Sequence, residues 1–208
     1  MIRAVIFDLD MCIFDTHSLG ENILDPVLEP LQKLCLTEEV RTEIARVLWT
    51  TSLEDTIELF GIPNEVAESM RTAHQELSIP ENMKTFGDEA YIKELLVHRV
   101  LVTSGYHKWQ AGKIEKLGIA PLFHEVIIDA IDDRSARKGK KEIFRDIMVR
   151  HNLVPSEICV VGDNPLSELR AGKELGMLTV QTLRPTVKRT EEADHHIYHF
   201  AELRELVC

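Results

Sequence analysis

The chain has 208 residues, a formal net charge of −11, 44% hydrophobic and 28% charged side chains. Such a composition excludes wholesale disorder and collagen-like or coiled-coil architecture, and no apolar run approaches the roughly 20 residues that cross a bilayer. The acidic excess is concentrated: residues 16–90 carry 15 acidic and five basic side chains, the remainder 20 and 19. That imbalance marks a distinct unit, and an acidic surface argues against a nucleic-acid partner.

In chain order, the first apolar run is Ile2 to Phe7, which stops at Asp8. It is too short for a signal peptide, so a cytoplasmic protein with no membrane association is expected. Residues 16–90 then show helical periodicity with no convincing strand. Thr37 is placed to cap one helix, Ser52-Leu-Glu-Asp55 resembles a capping box, and Gly61-Ile-Pro63-Asn64 separates two helices. Ser78 to Asp88, with Pro80, Asn82 and Gly87, reads as a linker. Three further β-branched runs follow. Val100 to Val102 stops at Thr103-Ser104-Gly105, Val126 to Ile128 at Asp129, and Ile158 to Val161 at Gly162-Asp163. Runs without alternation predict strands buried on both faces of a parallel sheet. Helical patterns near 106–117, 140–151 and 165–175 separate them, with Gly118 and Gly176 in C-terminal positions. This alternation predicts an α/β fold, a doubly wound parallel sheet, with a small α-helical unit inserted after the first strand. The corresponding division is core 1–15, helical insert 16–88 and core 89–208. Ala193 to Tyr198 reads as a short terminal strand, which would send adjacent His195 and His196 to opposite faces and leaves little case for a metal site with His199. Cys12, Cys35, Cys159 and Cys208 form no Cys-x-x-Cys pair and read as reduced thiols.

Ligands of open parallel sheets bind outside the carboxyl ends of the strands. Asp8, Asp10, Thr103, Ser104 and Asp163 end the apolar runs and would converge there. Clustered carboxylates need a compensating cation or proton, so Asp8, Asp10 and Asp163 predict a hard divalent ion, most simply Mg2+. The plain alternatives are a polar strand end for Asp8 and Asp10, a helix cap for Thr103-Ser104, a solvated charge for Lys138, a helix N-terminal acid for Asp163 and a surface acid for Glu168.

Four ordered motifs carry a family resemblance over essentially the whole chain. They are Phe7-Asp8-Leu9-Asp10; Leu101-Val102-Thr103-Ser104-Gly105; Lys138 with Phe144 six residues on; and Val161-Gly162-Asp163 with Glu168. This set resembles the haloacid dehalogenase superfamily in its phosphatase branch, similar to phosphoglycolate phosphatases with a helical cap. Gln110, Lys113, Leu117-Gly118 and Phe123 also look like that branch. The resemblance implies Mg2+-dependent hydrolysis of a small phosphorylated metabolite by a monomer or homodimer. Asp8 would be the nucleophile and Asp10 the acid and base, an acid there favouring phosphate esters over carbon–halogen bonds. It also implies Mg2+ bound by Asp8, the main-chain carbonyl of Asp10 and Asp163, with Glu168 either binding it through water or orienting the loop. Thr103, Ser104, Gly105 and Lys138 would hold the phosphoryl group. The cap would choose the substrate, with Arg41, Arg46, Arg71 and His74 as its polar contacts. Two departures stand out. Met11-Cys12 replaces the usual Gly-Thr, and Lys138-Gly139-Lys140-Lys141 lacks the usual prolines, which makes Lys140 a competitor for Lys138. Phosphoryl return to the substrate, as in β-phosphoglucomutase-like relatives, and a catalytically idle ligand-binding protein are the alternative functions.

Overall fold

A computed structural model describes residues 1–49, 51–133 and 135–207. The chain divides into two units: residues 1–18 with 82–208, and residues 19–81. The first unit begins with β1 (Ala4–Phe7). The second holds α1 (Asp25–Leu28), α2 (Glu38–Leu48), α3 (Leu53–Phe60) and α4 (Asn64–Glu76). The first unit resumes with α5 (Ala90–Glu94), β2 (His98–Gly105), α6 (His107–Leu117), β3 (Glu125–Ala130) and α7 (Lys140–His151). It ends with β4 (Ile158–Gly162), α8 (Glu168–Leu175), β5 (Leu178–Thr182), β6 (His195–Ile197) and α9 (Leu203–Val207). Cys208 lies outside the described residues, among which Cys12, Cys35 and Cys159 are free thiols. No helix among the described residues is long and apolar enough to cross a membrane.

The six strands form one parallel sheet in the order β3-β2-β1-β4-β5-β6. β1 lies between β2 and β4, with Phe7 opposite both Leu101 and Val161. The polar residues after these strands therefore reach the same edge of the sheet, at the point where strand order reverses. Helices pack on both faces, as the unbroken apolar runs require. On one face Ile6, Val102 and Val160 meet Ile143, Phe144 and Ile147 of α7. Phe7 meets Phe123 and Phe200 edge to face at 5.9 and 5.7 Å between ring centres. The strand β5 had no apolar run to announce it: Thr179, Gln181 and Thr182 are buried polar residues.

In the helical unit, Thr37 and Ser52 cap α2 and α3 by accepting the N–H groups of Val40 and Asp55. Ser52 also donates to Asp55 Oδ2 at 2.6 Å, so the Asp55 carboxylate bonds the Ser52 hydroxyl where a capping box would take the Ser52 N–H. Arg41, Arg46 and Arg71 are engaged inside this unit, with the Leu34 carbonyl, Glu43, and Glu54 plus Glu68 respectively. The flanks expected within the insert, 16–18 and 82–88, group instead with the sheet unit. Phe14 bridges to Thr85, and Asp88 is buried beside Arg184, which ties these flanks to the sheet.

Candidate active site

The chain curls sharply after β1. The Asp8 N–H continues the ladder to the Val161 carbonyl at 2.9 Å, after which the Leu9 carbonyl accepts the N–H groups of Cys12, Ile13 and Phe14. This turn leaves the carboxylates of Asp8 and Asp10 near enough for the charge of Asp10 to help raise the Asp8 carboxyl. It also forces Met11 to φ +54, the left-handed region in which a side chain costs about 1–2 kcal/mol. Cys12 points its thiol at the Val161 carbonyl, 3.7 Å away. Burial and the neighbouring Asp8 push that thiol well up, so Cys12 is neutral packing and not a thiolate.

Lys140, at the start of α7, joins two motifs. Its Nζ donates to Asp8 Oδ1 at 2.8 Å and to Glu168 Oε2 at 2.7 Å. Glu168 is buried, and its other oxygen accepts the Asn164 N–H at 2.7 Å. Gly162 makes room for it: a Cβ there would lie 2.3 Å from Glu168 Oε1. Carboxylate oxygens of Asp8, Asp163 and Glu168 lie within 4.8 Å of one another. Burial, with the charges of Glu168 and Asp10, raises the Asp8 carboxyl to about 7 although Lys140 pulls it down. Asp163 is pushed well above the usual carboxylate range by burial, Glu168 and Asp8. Burial alone would lower the Lys140 ammonium, but Asp8 and Glu168 hold it above its ordinary value. One ammonium thus faces three carboxylates. That surplus of hard oxygen donors suits a hard divalent cation.

Asp10 belongs to a second group. Lys113 Nζ donates to its Oδ1 at 2.5 Å and Gln110 Nε2 to its Oδ2 at 3.0 Å. Burial works against ionisation, yet Lys113 and Gln110 outweigh it and hold the carboxyl below its ordinary range. Gln110 Nε2 also lies 2.5 Å from Thr103 Oγ1 and 3.0 Å from the Ser104 carbonyl. The buried Thr103 is thereby locked beside Asp10. Gly105 permits this, since a Cβ there would sit 2.9 Å from the Gln110 side chain.

Lys138, the expected phosphoryl contact, lies elsewhere. Its Nζ pairs with Asp146 at 2.6 Å, and its side chain is 58% exposed, against 9% for Lys140. The cause is the preceding strand end. Buried Asp129 accepts the N–H groups of Lys138 and Gly139 at 3.0 and 3.3 Å and the Ser104 hydroxyl at 3.4 Å. With Gly139 at φ +78, this fixed loop delivers Lys140 inward. Asp129 was visible in the sequence as the end of an apolar run, but the motif spacing drew attention to Lys138 instead.

A further element behind the first loop had no local signature. Buried Arg184 donates to both oxygens of Asp88 at 2.9 Å, to the Cys12 carbonyl at 2.9 Å and to the Tyr198 carbonyl at 3.2 Å. Its guanidinium stacks between Phe86 and Phe200 at 4.5 and 4.6 Å. It anchors the residue that follows strained Met11. The terminal histidines are used locally: His196 Nε2 lies 2.6 Å from the Thr190 carbonyl, and His199 Nδ1 accepts the Ala201 N–H.

Known proteins resemble this chain in sequence and in fold. A glyceraldehyde 3-phosphate phosphatase of Methanocaldococcus jannaschii is 30% identical over 62% of this chain and 54% of its own length. The match thus spans about half of that relative. A glyceraldehyde 3-phosphate phosphatase of Methanopyrus kandleri is 26% identical over 88% of this chain and 85% of its own. Among solved structures, the HAD-fold protein YfnB of Bacillus subtilis, bound to magnesium, superposes with a TM-score of 0.72 at 18% identity, covering 99% of this chain and 98% of that one. The profile of the haloacid dehalogenase-like hydrolase family matches residues 5–182. The chain therefore belongs to the haloacid dehalogenase-like hydrolases.

Proposed function

We propose that the chain is a Mg2+-dependent phosphatase that cleaves a small phosphate monoester through an aspartyl-phosphate on Asp8. The observation that carries this reading is the shared Lys140, which ties Asp8 to Glu168 beside Asp163 and leaves a surplus of carboxylate oxygen. Asp8, Asp163 and Glu168 would hold the ion, which supplies positive charge against the transferring phosphoryl oxygens. Two of the relatives' names add a three-carbon sugar phosphate as the first natural substrate to test.

In this reading Asp8 attacks phosphorus, the bond from phosphorus to the ester oxygen breaks, and that oxygen takes a proton. Lys140 keeps Asp8 aimed and offsets phosphoryl charge, the role that Lys138 had been expected to fill. Thr103 offers a hydroxyl and the strand end offers Ser104 and Gly105 as phosphoryl contacts. Asp10, held ionised by Lys113 and Gln110, is in the state required for the second step. It takes a proton from water, the water oxygen attacks phosphorus, and Asp8 is released with inorganic phosphate. The proton taken by the ester oxygen comes from Asp10, which recovers it from the attacking water in the second step, so the cycle balances.

The test is phosphate release from p-nitrophenyl phosphate and from glyceraldehyde 3-phosphate, with Mg2+ and with a chelator, for the wild type and Asp8→Asn. Release that needs Mg2+ and vanishes in the variant is expected. Release of undiminished rate from folded Asp8→Asn would overturn the covalent route.

A further inference from the structure

A second cluster of metal-type ligands lies at the opposite end of β2. His98 opens β2, Glu125 opens β3 and His151 closes α7. Six residues of strand, or roughly 20 Å, separate His98 from Ser104. His98 Nε2 lies 2.8 Å from Glu125 Oε1, and His151 Nε2 meets the same oxygen. The two imidazole rings are 4.2 Å apart between centres. One donor atom from each of the three residues falls within 4.8 Å of the others, and all three residues are half-buried.

From these contacts we propose that His98, Glu125 and His151 form a binding site for a borderline divalent metal, Zn2+ being the type case, separate from the carboxylate cluster of Asp8, Asp163 and Glu168. Two imidazoles and one carboxylate are the donor set of open zinc sites, and imidazole favours Zn2+ over Mg2+. A tetrahedral ion with bonds of about 2.0–2.2 Å needs its donors roughly 3.3–3.6 Å apart, so shifts of about 1 Å would admit it. Both imidazoles are neutral when bound, each giving its Nε2 lone pair with its proton on Nδ1.

The surroundings suit this role. Arg150 donates to Glu125 Oε2, which orients the carboxylate and leaves Oε1 toward the two imidazoles. His124 stacks on His98 at 4.9 Å, but its Nδ1 already accepts the Arg99 N–H at 3.0 Å. The protein thus offers three ligands, with a fourth position for water. The site would pin three elements, the two strand starts and the end of α7, at the end of the sheet remote from the catalytic carboxylates.

The test is calorimetric titration of the full chain with Zn2+ in excess Mg2+, together with thermal melts and imidazole 15N spectra. Asp8→Asn/Asp163→Asn should still bind one Zn2+, melt higher with it, and show moved ring signals for His98 and His151. His98→Gln/His151→Gln should lose that ion, with affinity down at least about 100-fold, while keeping phosphatase activity in Mg2+. Glu125→Gln, nearly the same shape, should weaken it at least about tenfold and guards against a folding defect in the double variant. Zn2+ uptake by His98→Gln/His151→Gln equal to wild type, or unmoved His98 and His151 signals at saturating Zn2+, would overturn the proposal.

Discussion

Two buried clusters of charge in the sheet unit are built on opposite terms. Arg184 and Asp88 are matched one to one: both carboxylate oxygens are used, two carbonyls take two of the three remaining donors, and two aromatic rings cover the guanidinium. Lys140 is outnumbered: it faces Asp8 and Glu168 directly, with Asp163 beside them. The first cluster is complete in itself and reads as architecture. The second is left negative, and burial without compensation is costly. A protein that retains such a surplus has a use for it, which is why the second cluster and not the first is assigned to chemistry.

The sharpest way to break this contrast is to unbalance the matched pair. Arg184→Met leaves Asp88 buried without its partner and should cost about 3–5 kcal/mol in chemical denaturation. Arg184→Met/Asp88→Leu should recover most of that loss, because both charges go together. If the double variant is no more stable than the single one, the pair is not the self-contained unit described here.

Lys140→Met, assayed folded in saturating Mg2+, should lower kcat by about 100–1000-fold, since a preorganised charge at the phosphoryl site is removed. Lys138→Met should leave the rate within about twofold of wild type, its partner being a surface ion pair of small worth. Steady-state kinetics on the two variants separates them, and equal losses would contradict the assignment of Lys140.

A smaller effect lies in the first loop. Met11→Gly removes a side chain from a left-handed position and should stabilise the protein by about 0.5–1 kcal/mol, read as a higher denaturation midpoint at constant slope. No gain would mean that the Met11 side chain contributes packing equal to the backbone strain.

The strand ends that carry Asp8, Asp10, Thr103 and Asp163 were legible in the sequence because an apolar run and its polar stop are local signals. Helix ends at Gly118 and Gly176 were legible for the same reason; both glycines adopt the left-handed conformation. Three features were not. The choice between Lys138 and Lys140 depends on Asp129 holding the loop, a contact between elements. β5 hid because its buried residues are polar; Gln181 spends its amide on the Asp163 and Lys188 carbonyls, and Thr179 bonds Asp194. Arg184 and Asp88 stand 96 residues apart, and nothing near either one announces the other. What sequence reading missed was long-range polar pairing, which has no periodicity.

The surplus of carboxylate also has a thermodynamic signature. Asp8 is raised to about 7 from an ordinary 3.8, and Asp163 is raised too, so the metal-free folded state keeps protons that the unfolded chain releases. Their contribution to stability therefore falls as pH rises from about 4 to 7, and a bound cation should restore it. The most direct measurement is the thermal midpoint at pH 7 with and without Mg2+, for wild type and Asp163→Asn. The account predicts a wild-type midpoint that rises with Mg2+, and a variant that melts higher than wild type without Mg2+ and gains little from it. A wild-type midpoint indifferent to Mg2+, or an equal rise in both proteins, would contradict the claim that this cluster is built for a divalent cation.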